Sequence, residues 1–365
     1  MLMINDLLRH NECLMPDVSA AINEVLQSGW YVLGKQVNEF EQEFASYIQT
    51  THCVSVANGT DALELALRAL NIGPRHQVIT VANAGAYSTT AILAVGGEPV
   101  YVDIDPDTYL LSMKHLRDLV GAETKAIVVT HLYGQAAPVD QVLSLAAEFG
   151  IPVIEDCAQA HGAMLQSRRV GSFGALGCFS FYPSKNLGAL GDGGAVTTSD
   201  EKLASRLKML RQYGWQSKYE ITLAGGRNSR LDELQAALLR VKLPHLDKWN
   251  ARRFEISKRY VDGIHHPMVA MPHILKGEFV GHLFVVRSRQ RDGLREHLKQ
   301  NGIMSEVHYP VPDYRQPAFA GMFPGIQLPS TECVCEEILT LPCFPEMSDV
   351  EVETVIKAVN GWSPT

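Results

Sequence analysis

Residues 179–188, Phe-Ser-Phe-Tyr-Pro-Ser-Lys-Asn-Leu-Gly, place a single lysine, Lys185, after an aromatic-rich run. Most lysines are solvated surface groups, so a lysine alone indicates little. Here the neighbours are largely apolar, aromatic or glycine, and a lysine in such surroundings loses hydration, which lowers the pKa of its amine. A neutral amine can attack a carbonyl group and form a Schiff base. The segment therefore predicts a lysine that performs covalent chemistry.

A pair of acids lies in residues 155–161, Glu-Asp-Cys-Ala-Gln-Ala-His, directly after the apolar run at 151–154. Open α/β sheets bind their ligands at the carboxyl ends of strands, which is where Glu155 and Asp156 would lie. A carboxylate at that position can keep the nitrogen of a pyridine ring protonated, so that the ring accepts electrons from a carbanion. The alternative is that one of the two acids only caps the segment that follows.

A third polar group, Asn58-Gly59-Thr60-Asp61, stands between an apolar strand-like run and an apolar helix-like run. Exposed amides and the positive end of the helix dipole favour an anion at such a junction, and a phosphate would fit there. An N-cap made by Asn58 or Thr60 would use the same residue types. Both interpretations therefore stay open for this segment.

The elements around these residues follow an α/β pattern. Between about residues 50 and 200, short apolar runs alternate with longer amphipathic stretches, as in β-α units that feed a mostly parallel sheet. We expect strands at residues 53–56, 77–80, 98–102, 126–129, 152–155, 178–181 and 195–198. A helix is expected from Asp61 to Leu70, and its nearly continuous apolar character predicts that it is buried.

The pattern changes after Arg230. Residues 231–260 are typical of one or two long helices interrupted at Pro244, which we interpret as a connection between domains. Beyond them, a strand at 281–286 and helices at 291–301 and 349–362 predict a smaller α+β domain. We therefore expect a large domain over residues 1–245 and a smaller one over 246–365, with the N-terminal segment 1–34 as a candidate to dock on the smaller domain.

Composition excludes several classes of protein. The chain has 365 residues and a formal net charge of -8, and it has no long basic run, which argues against nucleic-acid binding. The pairs at 168–169 and 252–253, all arginine, are expected on the solvated surface. No stretch approaches the ~20 apolar residues of a membrane helix and the N-terminus has no signal pattern, so a cytoplasmic location is expected. Seven cysteines indicate no disulfide framework, and Cys333 and Cys335 lack a partner His cluster, so no metal site is expected.

The order of the polar segments gives a specific resemblance. Asn-Gly-Thr-Asp at 58–61, Glu-Asp-Cys-Ala-Gln at 155–159 and Ser-Phe-Tyr-Pro-Ser-Lys at 180–185 are followed by Gly-Arg-Asn-Ser-Arg-Leu-Asp-Glu-Leu-Gln-Ala-Ala at 226–237. This set resembles the DegT/DnrJ/EryC1/StrS family of sugar aminotransferases over nearly the whole chain, as far as His-Tyr-Pro at 308–310 and Gln-Pro at 316–317. The resemblance implies the fold type I of enzymes that use pyridoxal 5′-phosphate (PLP), with a mostly parallel seven-stranded sheet flanked by helices and a smaller α+β domain.

The resemblance also implies roles for individual residues. Lys185 would form the Schiff base with PLP, Asp156 would pair with the pyridinium nitrogen, and Gln159 would lie beside the phenolic oxygen of the cofactor. The phosphate would be bound by a set that includes one residue from the second subunit of a homodimer: Gly59, Thr60, Ser180 and the partner's Asn228. Two active sites would then be shared across the dimer.

Two positions depart from the family pattern. Family members commonly carry an aromatic residue, stacked on the cofactor ring, where this chain has Gly85. Tyr87 is the candidate replacement, although it could equally be a packing residue. The family also often has a His at the position of Tyr314, and we therefore assign no catalytic role to Tyr314.

The resemblance implies that L-glutamate donates the amino group to a nucleotide-linked keto-sugar. The Ala-Asn-Ala-Gly-Ala-Tyr segment at 82–87 and the Leu-Arg-Gln-Tyr-Gly-Trp segment at 210–215 are similar to members that act on dTDP-3-keto-6-deoxyhexoses and make 3-amino-3,6-dideoxy sugars for glycans such as lipopolysaccharide O-antigen. Candidates for the sugar pocket are Tyr182, Tyr213, His308 and Tyr309.

The same sequence features bear on three other functions. Amination at carbon 4 of a 4-keto-6-deoxy sugar stays open as the alternative. A dehydratase of the same fold would have histidine in place of Lys185, so the lysine opposes that function. A regulatory protein that binds PLP without turnover stays possible on fold alone, because fold does not determine function.

Overall fold

The protein is described by a computed structural model that covers residues 1–363. Within them, thirteen α-helices are present: α1 (Leu7–Glu12), α2 (Met15–Ser28), α3 (Lys35–Ile48), α4 (Gly59–Ala69), α5 (Tyr87–Ala94), α6 (Met113–Leu119), α7 (Val139–Phe149), α8 (Glu201–Leu210), α9 (Glu233–Lys242), α10 (Leu246–Gly263), α11 (Arg291–Gln300), α12 (Pro329–Glu337) and α13 (Asp349–Asn360). No helix among these residues combines the length and the apolar character that crossing a bilayer requires.

The same residues form thirteen strands: β1 (His52–Val56), β2 (Gln77–Val81), β3 (Glu98–Val102), β4 (Thr124–Thr130), β5 (Val153–Asp156), β6 (Met164–Leu165), β7 (Arg168–Arg169), β8 (Leu176–Ser180), β9 (Gly194–Thr198), β10 (Trp215–Ser217), β11 (Glu220–Ile221), β12 (Phe284–Arg287) and β13 (Ile338–Leu341). Seven of them build one sheet in the order β1-β9-β8-β5-β4-β2-β3. Only β9 runs antiparallel to its neighbours, so the mostly parallel seven-stranded sheet is confirmed.

Apolar side chains cover the sheet on both faces. Residues of α4, α5 and α8 pack with sheet residues in one buried cluster, and residues of α3, α6, α7 and α9 pack in two others. Every residue of α4 from Asp61 to Leu67 is buried, which confirms the prediction made from its apolar sequence. Asn58 starts this helix by accepting a hydrogen bond from Asp61 N at 2.8 Å. The capping role considered for Asn58 is therefore present.

The C-terminal part has its own buried cluster, built from α10, α11, α13 and the paired strands β12 and β13. The strand expected at 281–286 in fact runs from Phe284 to Arg287. Gly281 has φ +60 and a Cβ there would lie 3.0 Å from Arg253 Cβ, so the chain bends before the strand begins. Arg253 was wrongly expected at the surface: it is buried and donates to the carbonyl oxygens of Cys343 and Gly281.

The N-terminal segment contacts both parts of the molecule. Leu2 forms a backbone bridge with Ile303, and Arg9 Nη1 lies 2.9 Å from Glu351 Oε1. Helix α2 packs against α9. The break in the helical stretch occurs at residues 243–245, between α9 and α10, where Pro244 was expected to interrupt it. The division into domains at residue 245 stays a prediction.

Candidate active site

A cavity of about 670 Å³ lies where several strands of the large sheet end. β1, β5 and β8 run in the same direction, so Asp156 and Ser180, which end β5 and β8, meet Asn58, just after β1, at one edge. This edge is where open α/β sheets bind ligands. The cavity brings together nine of the residues expected from the sequence: Gly59, Thr60, Tyr87, Asp156, Ser180, Tyr182, Lys185, His308 and Tyr309.

The turn between β1 and α4 forms an amide-lined corner of the cavity. The first amides of a helix have no acceptor within the helix, and those of Gly59 and Thr60 belong to this first turn. Gly59 lies against Ser180: a Cβ on Gly59 would be 2.5 Å from Ser180 Cβ and 3.1 Å from Ser180 Oγ. Only glycine permits this approach. The hydroxyl and the helix N-terminus together make an anion site.

Lys185 lies in the loop between β8 and β9. Its own N–H donates to Tyr182 O at 2.8 Å, and a Cβ on Gly188 would be 2.3 Å from Pro183 O, so the loop is tightly folded. The side chain is partly buried and faces the cavity. Loss of hydration lowers the pKa of the Lys185 amine to about 8, while the charge of Asp156 acts in the opposite direction. A fraction of this amine is therefore neutral near physiological pH.

The two adjacent acids at the end of β5 have different functions. Glu155 accepts hydrogen bonds from the amides of Gly171, Phe173 and Gly174 at 2.7–2.8 Å, so it organises a loop. Asp156 lines the cavity and accepts from Ala158 N at 3.1 Å. Burial raises the pKa of Asp156, and the Ala158 amide and the charge of Lys185 oppose that rise. The expected alternative, an acid that caps the segment that follows, is met by Asp156 through Ala158 N, and Asp156 lines the cavity as well.

His131, Glu155 and Cys157 are buried with potential ligand atoms within 4.8 Å of one another. His131 Nδ1 accepts from Ala137 N at 2.9 Å, so its Nε2 carries the proton and donates to Glu155 Oε2 at 3.1 Å. Both ring nitrogens are thus occupied. The geometry supports a hydrogen-bonded core at this place.

Gln159 connects the large sheet to the C-terminal part. Its Oε1 accepts from Tyr133 N at 2.7 Å and its Nε2 donates to the Tyr309 hydroxyl at 3.1 Å. The Tyr309 ring is 6.1 Å from the Tyr87 ring, edge to face. Gln159 is therefore fixed at both ends of its amide, and its contact with a cofactor oxygen stays a prediction.

Gly85, at the usual aromatic position, has a geometric explanation. It has φ +82, and a Cβ there would lie 2.9 Å from the Tyr87 ring and 3.0 Å from the Tyr309 ring. The space that an aromatic side chain at position 85 would occupy is already taken by these two tyrosines. Tyr87 is 48% exposed at the start of α5, so its ring is available to a ligand in the cavity.

Besides Gln159, which lies behind Tyr309, two of the expected residues, Tyr213 and Asn228, do not line the cavity of this chain. Both are exposed, and the Gln212–Asn228 bridge joins their segments. Tyr314 is buried, and its hydroxyl donates to Glu332 Oε1 at 2.6 Å, which explains a packing function. A contribution of Asn228 to a neighbouring subunit stays a prediction.

Sequence reasoning missed several residues of the cavity. The N-terminal Asn5 lines it and donates to Ser184 O at 3.3 Å. His282 lines it next to Lys185, just before β12. In the sequence, His282 is the one polar side chain of an apolar run. Such a histidine is more often a hydrogen-bonded core residue than a site residue, so the pattern alone did not indicate its position.

Comparisons with known proteins agree with this geometry. A model of the DegT/DnrJ/EryC1/StrS aminotransferase family matches residues 12–360. The chain belongs to this family. It is 45% identical over 358 residues to the dTDP-3-amino-3,6-dideoxy-alpha-D-galactopyranose transaminase of Aneurinibacillus thermoaerophilus, with 98% of each chain covered. It is 44% identical over 361 residues to the dTDP-3-amino-3,4,6-trideoxy-alpha-D-glucose transaminase of Streptomyces venezuelae, covering 98% of this chain and 95% of that protein.

Solved structures of the DegT/DnrJ/EryC1/StrS family share the whole fold. The crystal structure of S. venezuelae DesV in complex with a ketimine intermediate superimposes with a TM-score of 0.95 at 44% identity, covering 98% of this chain and 97% of that one. The protein is accordingly a PLP-dependent aminotransferase.

The cavity fits PLP by its own chemistry. The close approach of Gly59 to Ser180 leaves a corner lined by backbone and hydroxyl donors, which suits a phosphate dianion. Asp156 is a buried carboxylate that suits a pyridinium, and Lys185 supplies an amine. The donor set thus matches the three reactive parts of the cofactor.

Proposed function

We propose that the protein transfers the amino group of L-glutamate to carbon 3 of a dTDP-3-keto-6-deoxyhexose and so makes a dTDP-3-amino-3,6-dideoxyhexose. The observation that carries this proposal is the full-length similarity to two transaminases whose names both place the nitrogen at carbon 3. The lysine, the carboxylate and the anion corner lie together in one cavity, which supports catalysis over mere binding.

PLP, when bound, supplies an electron-accepting ring that stabilises a carbanion at the substrate carbon. Lys185 would hold the cofactor covalently, and its Nζ, once free, would take a proton from the substrate carbon and later release it. The lowered pKa makes the neutral amine accessible near pH 8, as this proton transfer requires. Asp156 would hold the ring nitrogen protonated, because an adjacent cation stabilises its buried carboxylate.

The remaining site residues bind and orient. We assign phosphate binding to Gly59, Thr60 and Ser180, and the phenolic oxygen to the amide of Gln159. The sugar is assigned to the open side of the cavity, where Tyr182, His308 and Tyr309 lie. Aromatic rings there offer flat apolar faces and hydroxyls to a deoxyhexose.

A homodimer with shared sites is part of the proposal. Tyr213 and Asn228 are exposed outside the cavity of their own chain, which supports their placement in the partner's site. Mixing two inactive proteins, Lys185→Ala and Asn228→Asp, tests it. If sites are shared, half of the dimers are hybrids with one intact site each, so about a quarter of wild-type activity returns. No recovery after subunit exchange, with dimers present in sedimentation, contradicts sharing.

Cytoplasmic synthesis of a sugar donor for glycans such as O-antigen completes the proposed assignment. The sugar assignment is tested by analysis of the reaction product. Purified enzyme with L-glutamate and the keto-sugar should yield a product whose NMR spectrum places nitrogen on carbon 3, and nitrogen on carbon 4 would establish the alternative. Wild type should lose its visible absorbance with glutamate and release 2-oxoglutarate. A protein that binds PLP but releases none would be a regulatory one, and Lys185→Ala serves as the matched inactive control.

A further inference from the structure

His282 has no assigned function although it lines the cavity together with Lys185. The residue is buried, with 8% of its surface exposed, and it is held by its backbone on both sides. Arg253 donates to Gly281 O at 3.4 Å, and Leu283 N donates to Tyr133 O at 3.2 Å. The imidazole therefore has a fixed position at the cavity wall.

The Nδ1 side of this imidazole ends a chain of side-chain amides. His282 Nδ1 lies 3.1 Å from Asn186 Oδ1, and Asn186 follows Lys185 directly. Asn186 Nδ2 donates to Asn250 Oδ1 at 2.8 Å, and Asn250 Nδ2 donates to His161 O at 2.7 Å. The chain thus joins the lysine loop, α10 and the segment after β5.

The direction of every bond in this chain is determined by main-chain carbonyls, which only accept. His161 O requires the NH2 group of Asn250 to face it, and Val280 O, at 3.0 Å, requires the NH2 group of Asn186. The oxygen of Asn186 must then face His282, whose Nδ1 must carry the hydrogen. This assignment follows from donor and acceptor chemistry alone.

The other nitrogen, Nε2, is consequently the unprotonated one. Burial, followed by the charge of Lys185, lowers the pKa of His282 well below its ordinary value, so the ring stays neutral. Among residues 1–363, Nε2 has no hydrogen-bond partner. It is not one of the fully buried polar atoms without a partner, so part of its surface is accessible. Its lone pair is therefore open to the cavity.

We propose that His282 is a fixed hydrogen-bond acceptor of the active site, whose Nε2 receives an N–H or O–H of the reacting system. Two donors have this chemistry: the amine of Lys185 and a hydroxyl of the bound sugar, the second of which rests on the proposed function. In either case the amide chain keeps the imidazole in the accepting tautomer, and it couples that tautomer to the loop that carries Lys185.

Two substitutions separate the two nitrogens. His282→Asn places an NH2 near Nδ1, which preserves the bond to Asn186 and removes the acceptor in the cavity. His282→Gln places an amide oxygen near Nε2, which preserves the acceptor and loses that bond. His266→Phe is the matched control, because His266 Nε2 bonds Trp362 O in the C-terminal part, remote from the cavity.

The two half-reactions are measured separately by single-turnover absorbance, one with L-glutamate and one with the keto-sugar. Loss of one hydrogen bond should slow His282→Asn roughly tenfold, whereas His282→Gln stays closer to wild type. Slowing in both half-reactions identifies Lys185 as the donor, and slowing with the sugar alone identifies a hydroxyl. The proposal is overturned if His282→Asn and His282→Gln slow the half-reactions equally, or if His282→Asn has no effect on either rate.

The tautomer is measured without turnover. Neutron diffraction of the holoenzyme should show hydrogen on His282 Nδ1 and none on Nε2. Hydrogen on Nε2 overturns the proposal whatever the substrate. Because this measurement and the glutamate half-reaction need no sugar, a wrong sugar assignment is distinguishable from a wrong assignment of His282.

Discussion

Gly59→Ala tests the anion corner at the start of α4. A Cβ at position 59 would lie 2.5 Å from Ser180 Cβ and 3.2 Å from Ser180 Cα. Ordinary carbon contacts are about 3.5–4.0 Å, so the helix start and the end of β8 must separate by about 1 Å. The same two segments supply the proposed phosphate donors. The substitution should therefore act mainly on the bound cofactor.

The magnitude follows from the size of the overlap. Inserting one carbon into a well-packed site costs about 1–3 kcal/mol, and each 1.4 kcal/mol is tenfold in an equilibrium constant. If most of this strain is relieved by widening the corner, the affinity for PLP should fall about tenfold to a hundredfold. The reason is that the amide and hydroxyl donors then no longer reach one phosphate together.

The assay is a PLP titration of the apoenzyme followed by visible absorbance, with thermal unfolding of the apo and holo forms. Gly73→Ala is the control, since Gly73 lies in the turn after α4 and a Cβ there meets nothing within 4 Å. We expect a smaller thermal shift on PLP addition in Gly59→Ala only. Wild-type PLP affinity in Gly59→Ala would refute the reasoning, as would equal losses in both variants.

Further predictions concern pH and buried hydrogen bonds. With the pKa of Lys185 lowered to about 8, the neutral fraction of its amine rises with pH up to that value. The single-turnover rate of the aminated enzyme with the keto-sugar should therefore rise about tenfold per pH unit below pH 8 and level off above it. Asp313→Ala leaves the Ala86 amide and the Thr89 hydroxyl without their acceptor, so denaturant unfolding should show a loss of about 2–4 kcal/mol, and Asp313→Asn a smaller one. Glu233→Ala removes the acceptor for three amides at the start of α3 and should cost about 3 kcal/mol by the same measurement, whereas Glu233→Gln keeps part of it.

The large sheet could be predicted from sequence because its strands are short, continuous apolar runs. In a parallel sheet covered on both faces, such runs leave no ambiguity about burial. The strand that ends at Arg287 was predicted less well. Residues 281–283 belong to the same partly apolar run and were expected to start the strand, but the chain bends there, where Gly281 contacts Arg253. A close approach between two segments far apart in sequence has no local signature.

In the candidate site, too, some residues could be predicted from the local sequence and others depend on tertiary contacts. Lys185 and Asp156 stood out because ionisable residues inside apolar segments are rare and need a reason. Which of two adjacent acids faces the cavity was decided by strand alternation and by the loop amides that engage Glu155. The burial of Arg253 could not be predicted either, since its acceptors are main-chain carbonyls, which every sequence has.

The histidines near Lys185 show how such hidden neighbours affect the chemistry. His161, His282 and His308 all have a pKa lowered first by burial and further by the charge of Lys185, that of His161 to about 3. They are therefore neutral when the enzyme works, and they add polarity around the lysine without adding positive charge. Had they been cations, they would have lowered the pKa of Lys185 further by repulsion. The balance between amine and ammonium at Lys185 is thus left mainly to burial on one side and Asp156 on the other, so the residue proposed to pair with the cofactor ring also raises the pKa of the proposed base.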